Sequence, residues 1–332
     1  MRAPRRWLVL ILLAASQGTL AGQRGNQAAP AQPAQRIYFS ALNNQEKPVL
    51  GLSAADFELR VDGTPRALSD FHAGLPHTDR SIPLVAWILI DFNPNINAHL
   101  IQRQADAAAD LFKLFHPDSR AGVQVVSDRA EILAPLAHNP AALRTAFRQF
   151  SERRMILRAG TQEDSTYVGT GGLARAVEMA VDEIQGFIRA EPSLSGREVH
   201  KAVVILSDGN INPSYKTRPL YENAGHDEVF LYPVFMPRQR IGPWINDYFE
   251  MARKSGGVGS FLGAIRPGSD PFTWSGENTS PNALTFNFIH MARDLNGKYT
   301  FALPVASGRE EKISLKCKVK GVQIRLPRKT VP

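Results

Sequence analysis

Hydrophobic residues follow two rhythms along this chain. In the middle they run unbroken, as Leu84-Val85-Ala86-Trp87-Ile88-Leu89-Ile90, as Ala202-Val203-Val204-Ile205-Leu206, and again over residues 229–235. Unbroken apolar runs of strand length predict strands buried on both faces of a mostly parallel sheet. Between them the apolar residues recur at helical spacing. Leu100, Ile101, Ala105, Ala108, Leu111, Phe112 and Phe115 predict a helix over 98–115, stopped by Pro117. Asn139 and Pro140 open a helix carrying Leu143, Phe147 and Phe150, and Leu173, Ala176, Val177, Ala180, Val181 and Ile184 line another. A fourth helix covers 245–253, ended by Gly256 and Gly257, and a short strand follows at Ser260-Phe261-Leu262. Residues 120–126 and 130–136 form a hairpin around Ser127-Asp128-Arg129, whereas 151–165 are polar and irregular. Strands alternating with helices of ten or more residues predict an α/β fold with a doubly wound, mostly parallel sheet over about residues 82–265.

Toward both ends the rhythm changes to alternation. Residues 37–42 predict a strand, Ser53 caps a helical turn at 54–56, and Glu58-Leu59-Arg60-Val61 leads into the hairpin signal Asp62-Gly63. Residues 67–71 are the expected return strand, so 36–75 make a small β unit. After a Pro/Gly/Ser-rich excursion over 266–281, residues 281–294 carry Leu284, Phe288 and Met291 at helical spacing. Residues 298–303, 312–319 and 322–326 then alternate as antiparallel strands do. A small β unit is thus expected at each end.

The first residues stand outside this fold. Arg2, Arg5 and Arg6 precede an apolar core of about nine residues and the small residues Thr19-Leu20-Ala21, the pattern of a secretory signal over 1–21. The expected location is therefore secreted or periplasmic, with no membrane span after cleavage. Residues 22–35, rich in Ala, Pro and Gln, form a linker. Composition changes this picture little: 332 residues with 43% hydrophobic content suffice for a substantial core. The formal charge of +8 falls to about +5 without the three signal arginines. The remaining basic residues are scattered, apart from Lys312, Lys316, Lys318, Lys320, Arg325, Arg328 and Lys329. Alternate charges on strands mark a solvated face, and no recognition motif accompanies them, so no nucleic-acid partner is expected. Cys317 is the single cysteine and pairs with nothing internally; it is expected to be a small buried hydrophobe.

Chemistry concentrates where two of the buried strands end. Leu84–Ile90 runs into Asp91-Phe92-Asn93-Pro94-Asn95, and Ala202–Leu206 into Ser207-Asp208-Gly209-Asn210. Two strand-ending aspartates place two carboxylates on the carboxyl edge of the sheet, where open α/β sheets collect ligands. Gly169-Thr170-Gly171-Gly172 opens a helix, but no buried strand precedes it and no Lys follows at phosphate-loop spacing. The eight histidines show no metal-ligand spacing, and no nucleophile motif occurs.

These three pieces resemble the von Willebrand factor A domain. Asp91-Phe92-Asn93-Pro94-Asn95 stands where that family has Asp-x-Ser-x-Ser after its first strand, Thr170 where its metal-site threonine lies, and Ser207-Asp208-Gly209 where a strand ends in Asp-Gly. The flanks, with Gly51-Leu52, Asp56-Phe57, Asp62-Gly63 and Gly297-Lys298-Tyr299, are similar to one bacterial branch of secreted proteins. The resemblance implies a metal-ion-dependent adhesion site built by Asp91, Asn93, Asn95, Thr170 and Asp208, holding one divalent cation, Ca²⁺ or Mg²⁺. It also implies a protein partner whose carboxylate completes the coordination shell, with Phe92, Pro94 and Asn210 on the contacting rim, and no enzymatic activity. Both loop serines are asparagines here. An amide oxygen sits one atom further from the backbone, which Mg²⁺ tolerates poorly and Ca²⁺ better. Asn amides also donate hydrogen bonds to carboxylates, so a metal-free rim is the other state left open. Two rival classes remain, a metal-assisted hydrolase at the same rim and a structural envelope component with a vestigial site.

Overall fold

The computed structural model describes residues 34–91, 98–126, 130–160, 172–207, 224, 228–236, 245–262, 279–304, 311–327 and 330–331. The expected signal, the linker through residue 33, the hairpin turn at 127–129 and most of the 266–281 excursion lie outside them.

In the α/β body, β5 (Leu84–Asp91) is the centre of a six-stranded sheet. Its neighbours are β6 (Arg120–Val126) on one side and β8 (His200–Ser207) on the other, both parallel to it. β9 (Phe230–Phe235) and the short β10 (Ser260–Phe261) extend the parallel run, and β7 (Ala130–Ala137) closes the opposite edge as the antiparallel arm of the expected hairpin. The order is β10-β9-β8-β5-β6-β7. Every residue of β5 from Leu84 to Ile90 is buried, as its unbroken apolar run requires. Odd and even positions face opposite layers. Leu84, Ala86, Ile88 and Ile90 pack under α1 (Ala98–Arg103), α2 (Ala105–Leu114), α3 (Pro140–Gly160) and α6 (Ala283–Asn296). Val85, Trp87 and Leu89 pack under α4 (Gly172–Ala190) and α5 (Ile245–Ser255). The fold is therefore α/β with a doubly wound, mostly parallel sheet. Gly122 on β6 lies opposite Trp87, and a Cβ there would collide with the indole, so the glycine makes room for the largest side chain in the sheet.

The strands from the two ends of the sequence pair with each other. β1 (Ala34–Leu42) lies between β11 (Lys298–Pro304) and β13 (Gln323–Arg325), with β4 (Ser69–His72) on the far side of β11. A second sheet has the order β14-β12-β2-β3, formed by β2 (Phe57–Val61), β3 (Thr64–Arg66), β12 (Glu311–Cys317) and β14 (Thr330–Val331). Phe39, Phe57, Leu59, Tyr299, Phe301, Ile313 and Leu315 fill the space between the two sheets. The opposite face of the first sheet meets the α/β body, where the Tyr38 ring stands edge-on to Phe230 at 5.6 Å.

Five local expectations change. The return strand after Asp62-Gly63 is Thr64–Arg66, not 67–71; both turn residues have positive φ (48° and 80°), which closes the hairpin in two residues. Ser69–His72 crosses to the other sheet and pairs with β11. The helix expected over 98–115 breaks at Gln104, whose buried amide is drawn away to donate to the Ser280 carbonyl and to accept the Leu284 N–H at the start of α6. Helix α3, whose first turn Asn139 caps through the Ala142 N–H, continues to Gly160 where an irregular segment was expected. Lys312, Lys316, Lys318 and Lys320 are solvated as expected, but Arg325 turns inward to an ion pair, and Cys317 is half-buried against the β core.

Candidate functional site

Strand order alone locates the first candidate. The chain leaves β5 outward through β6 and β7, then returns to place β8 on the other side of β5 and continues outward through β9 and β10. The sheet therefore reverses direction between β5 and β8, and ligands of open α/β sheets bind outside the carboxyl ends of the strands at that reversal. The parallel register pairs Ile90 with Leu206, which brings Asp91 alongside Ser207.

Asp91 is half-buried at the end of β5. The fully buried Ser207 donates its hydroxyl to Asp91 Oδ2 at 2.8 Å. Ser207 Oγ also lies 3.3 Å from the hydroxyl of Tyr248 on α5. A serine hydroxyl has one proton, so with that proton given to the carboxylate the tyrosine is the donor to Ser207. Tyr248 is itself held edge-on against Phe235 of β9, ring centroids 5.0 Å apart. A relay from α5 through β8 thus fixes the carboxylate that ends β5. Sequence reasoning quoted Ser207 only as the residue before Asp208 and passed over Tyr248. The available signal was a tyrosine on the apolar side of an amphipathic helix, since a buried phenol needs a partner.

Of the eight residues expected at the rim, the structure places Asp91. Phe92, Asn93, Pro94 and Asn95 follow it directly, Thr170 precedes α4 by two residues, and Asp208 and Asn210 follow Ser207. These seven lie outside the described residues. Among the described residues no three His, Cys, Asp or Glu side chains gather as a metal group.

A second polar constellation sits where the α/β body meets the β sheets, at the opposite, amino-terminal edge of β8 and β9. Asp294, near the end of α6, accepts from Lys298 Nζ at 2.7 Å and from the Tyr232 hydroxyl at 2.7 Å through Oδ2, and from Arg325 at 2.6 Å through Oδ1. Lys298 also donates to the Gly256 carbonyl at 2.7 Å and lies 4.5 Å from the Phe230 ring centroid. Burial pushes the Lys298 amine down to about 8 and pushes the Tyr232 hydroxyl up. Burial opposes ionisation of Asp294, yet the Lys298 and Arg325 charges outweigh it and hold the carboxyl below its ordinary range. Beside this cluster the buried His200 donates from Nε2 to Asn296 Oδ1 at 2.9 Å, and the Asn296 amide donates to the carbonyls of Pro76 and Asp79. Burial selects the neutral ring and pushes His200 down to about 4, against the Asn296 hydrogen bond, which favours the proton. The arrangement is a latch between layers, with every charge turned inward.

The sheet and its reversal point define an α/β protein whose candidate site is the carboxyl rim of β5 and β8. No family model matches the chain, and no curated protein matches it. Among solved structures, the chain is similar to a von Willebrand factor type A protein from Catenulispora acidiphila, with 12% identity, 89% of this chain and 72% of that chain covered, and a TM-score of 0.39. It is also similar to the N-terminal domain of TFIIH p34, with 14% identity, 63% and 97% coverage and a TM-score of 0.41. A third likeness is to proximal thread matrix protein 1 of the mussel byssus with a zinc-occupied MIDAS motif, at 16% identity, 70% and 50% coverage and a TM-score of 0.38. At these identities and scores the likenesses assign neither a family nor an activity. Among the described residues no helix is long and apolar enough to cross a membrane.

Proposed function

We propose that this chain is an exported, non-enzymatic binding module that captures a protein partner on the carboxyl rim of β5 and β8, through a divalent cation bridging to a partner carboxylate. The observation that carries the reading is the adjacency of β5 and β8 at the sheet's reversal point. From it the stretches Asp91-Phe92-Asn93-Pro94-Asn95 and Ser207-Asp208-Gly209-Asn210 both depart, with Asp91 held by Ser207. The proposed ligand set of Asp91, Asn93, Asn95, Thr170 and Asp208 is all oxygen, which suits a hard cation. Asp91 fits that role: one carboxylate oxygen is anchored by a hydroxyl donor at the edge of a rigid strand, so little side-chain freedom remains to be lost on binding. When bound, the cation would supply a Lewis-acidic point for the partner's carboxylate, while Phe92, Pro94 and Asn210 would form its surround.

The test is calorimetric titration of the wild type and of the Asn93→Ser/Asn95→Ser double variant with Mg²⁺ and Ca²⁺. The wild type should prefer Ca²⁺, and the double variant should gain about tenfold in Mg²⁺ affinity, or about 1.4 kcal/mol. Tight Mg²⁺ binding by the wild type, or no gain in the double variant, overturns the argument that the asparagines degrade the site, and saturable binding by neither protein overturns the cation-bridged reading. Turnover of generic ester or phosphate substrates, lost in Asp91→Ala, would overturn the non-enzymatic one.

A further inference from the structure

A cleft of about 320 Å³ opens at the C-terminal end of α6, far from the rim in the fold. It is lined by Lys47, Pro48, Leu50, Leu75, His77 and Arg293. Three separate segments build it: the loop after β1, the loop between β4 and β5, and the last turn of α6. Backbone contacts hold these segments together. The Leu75 N–H donates to the Asn296 carbonyl at 2.6 Å, the Gly297 N–H donates to the Arg293 carbonyl at 3.0 Å, and Pro48 and Gly74 press so closely on Gly297 that a Cβ on either glycine would collide. The helix-end carbonyls on this side are thereby partly satisfied from within the protein.

The cleft is chemically one-sided. Its three polar walls are Lys47, His77 and Arg293, and no acid lines it. None of the three has a carboxylate within ion-pair distance among the described residues. Arg36, Arg60, Lys113, Arg144, Arg197, Lys201, Lys254, Lys298 and Arg325 each do. The nearest acid in the second loop, Asp79, is committed to the Ser81 N–H and hydroxyl. The floor is apolar, and Leu50 is 40% exposed there. A half-buried, unpaired guanidinium beside a lysine and a histidine, over an exposed apolar floor, matches a ligand with an anionic head and an apolar body. The volume falls in the range of small-molecule sites.

We infer that this cleft is a binding site for a small organic anion, a carboxylate or phosphate ester with an aryl or alkyl body. Arg293 supplies the fork for the anionic head, Lys47 and His77 supply flanking donors, and Leu50 and Leu75 cover the body. The inference does not depend on the rim: neither its residues nor a cation takes part.

The probes are phenyl phosphate, 3-phenylpropionate, inorganic phosphate and the neutral 3-phenylpropanol, titrated calorimetrically into the full chain at low salt. At least one aryl anion should bind saturably, more tightly than inorganic phosphate, with the neutral alcohol showing no saturation. Arg293→Gln should weaken that binding at least tenfold. Lys47→Gln, at a side chain exposed to solvent, should weaken it less and leave the melting temperature unchanged, which separates loss of the site from loss of the fold. Equal binding of the alcohol, equal binding of inorganic phosphate, or undiminished binding by Lys47→Gln and Arg293→Gln together overturns the inference. So does the absence of saturation with both aryl anions.

Discussion

Acidification should weaken this protein through one residue, His200. The ring is buried at 4% exposure, its Nε2–H is given to Asn296, and its folded-state value lies near 4, against about 6.5 in an unfolded chain. A base whose folded value is depressed leaves the unfolded state holding more protons between the two values, so stability falls as pH drops through that window. Linkage gives a loss of about 2 kcal/mol between pH 7 and pH 5 and about 3 kcal/mol by pH 4. The charged groups facing the ring are Asp294 and Asp79, which favour the proton, and Lys298, which opposes it. The assay is urea denaturation of the wild type and of His200→Gln at pH 7, 5 and 4. The glutamine amide keeps a donor for Asn296 and does not titrate. Other carboxylates titrate in both proteins and cancel in the difference, so the wild type should lose about 2 kcal/mol more than the variant between pH 7 and pH 5. Parallel pH curves for the two proteins would refute the reasoning, since the ring would then be gaining its proton without cost.

The sheet was legible because its strands are buried on both faces and so carry no alternation to confuse with a surface strand. Leu84–Ile90 and Ala202–Leu206 could hardly sit elsewhere than at its centre, and the acid ending the first of them lies at the carboxyl edge as expected, beside a reversal point that only the strand order shows. The pairing of the two ends was not legible. Alternation in residues 37–42 and 298–303 sets which side chains face inward, but it carries no information about which strand lies alongside, and that partner is more than 250 residues away. The same limit hid the latch. Asp294 reads as the end of a helix, Lys298 as the start of a strand and Arg325 as one of a cluster of surface charges, because only the meeting of α6, β11 and β13 brings all three together. Tyr232 was the one hint, a hydroxyl inside an otherwise apolar buried strand. At the rim, the missed residue Tyr248 belongs to a helix whose docking onto β9 no local pattern announces.

Two perturbations test the remaining polar contacts. Asp294→Ala strips the counter-charge from the buried Lys298 and the half-buried Arg325 and should cost about 3–5 kcal/mol in urea denaturation, whereas Asp294→Ala combined with Lys298→Met should recover part of it. Equal losses in the single and double variants would mean that Lys298 is not held by Asp294. The relay behind Asp91 makes a prediction about order. Ser207 donates to a carboxylate, a charge-assisted bond that survives if Tyr248 loses its hydroxyl. Tyr248→Phe removes the outer, longer contact and keeps the serine's bond to Asp91, so it should cost about 0.5–1 kcal/mol. Ser207→Ala removes both contacts in one step, the charge-assisted bond to Asp91 and the contact with the Tyr248 hydroxyl, so it should cost about 2 kcal/mol, discounted from the upper range because Asp91 is half-buried. Both single variants lose the Ser207–Tyr248 contact, so the double variant loses it only once and its loss should fall short of the sum of the singles. The measurement is denaturation of all three proteins at one pH. A Tyr248→Phe loss equal to or larger than that of Ser207→Ala would show that the phenol, not the serine, bears on the carboxylate, and an additive double variant would show that the two contacts do not form a relay at all.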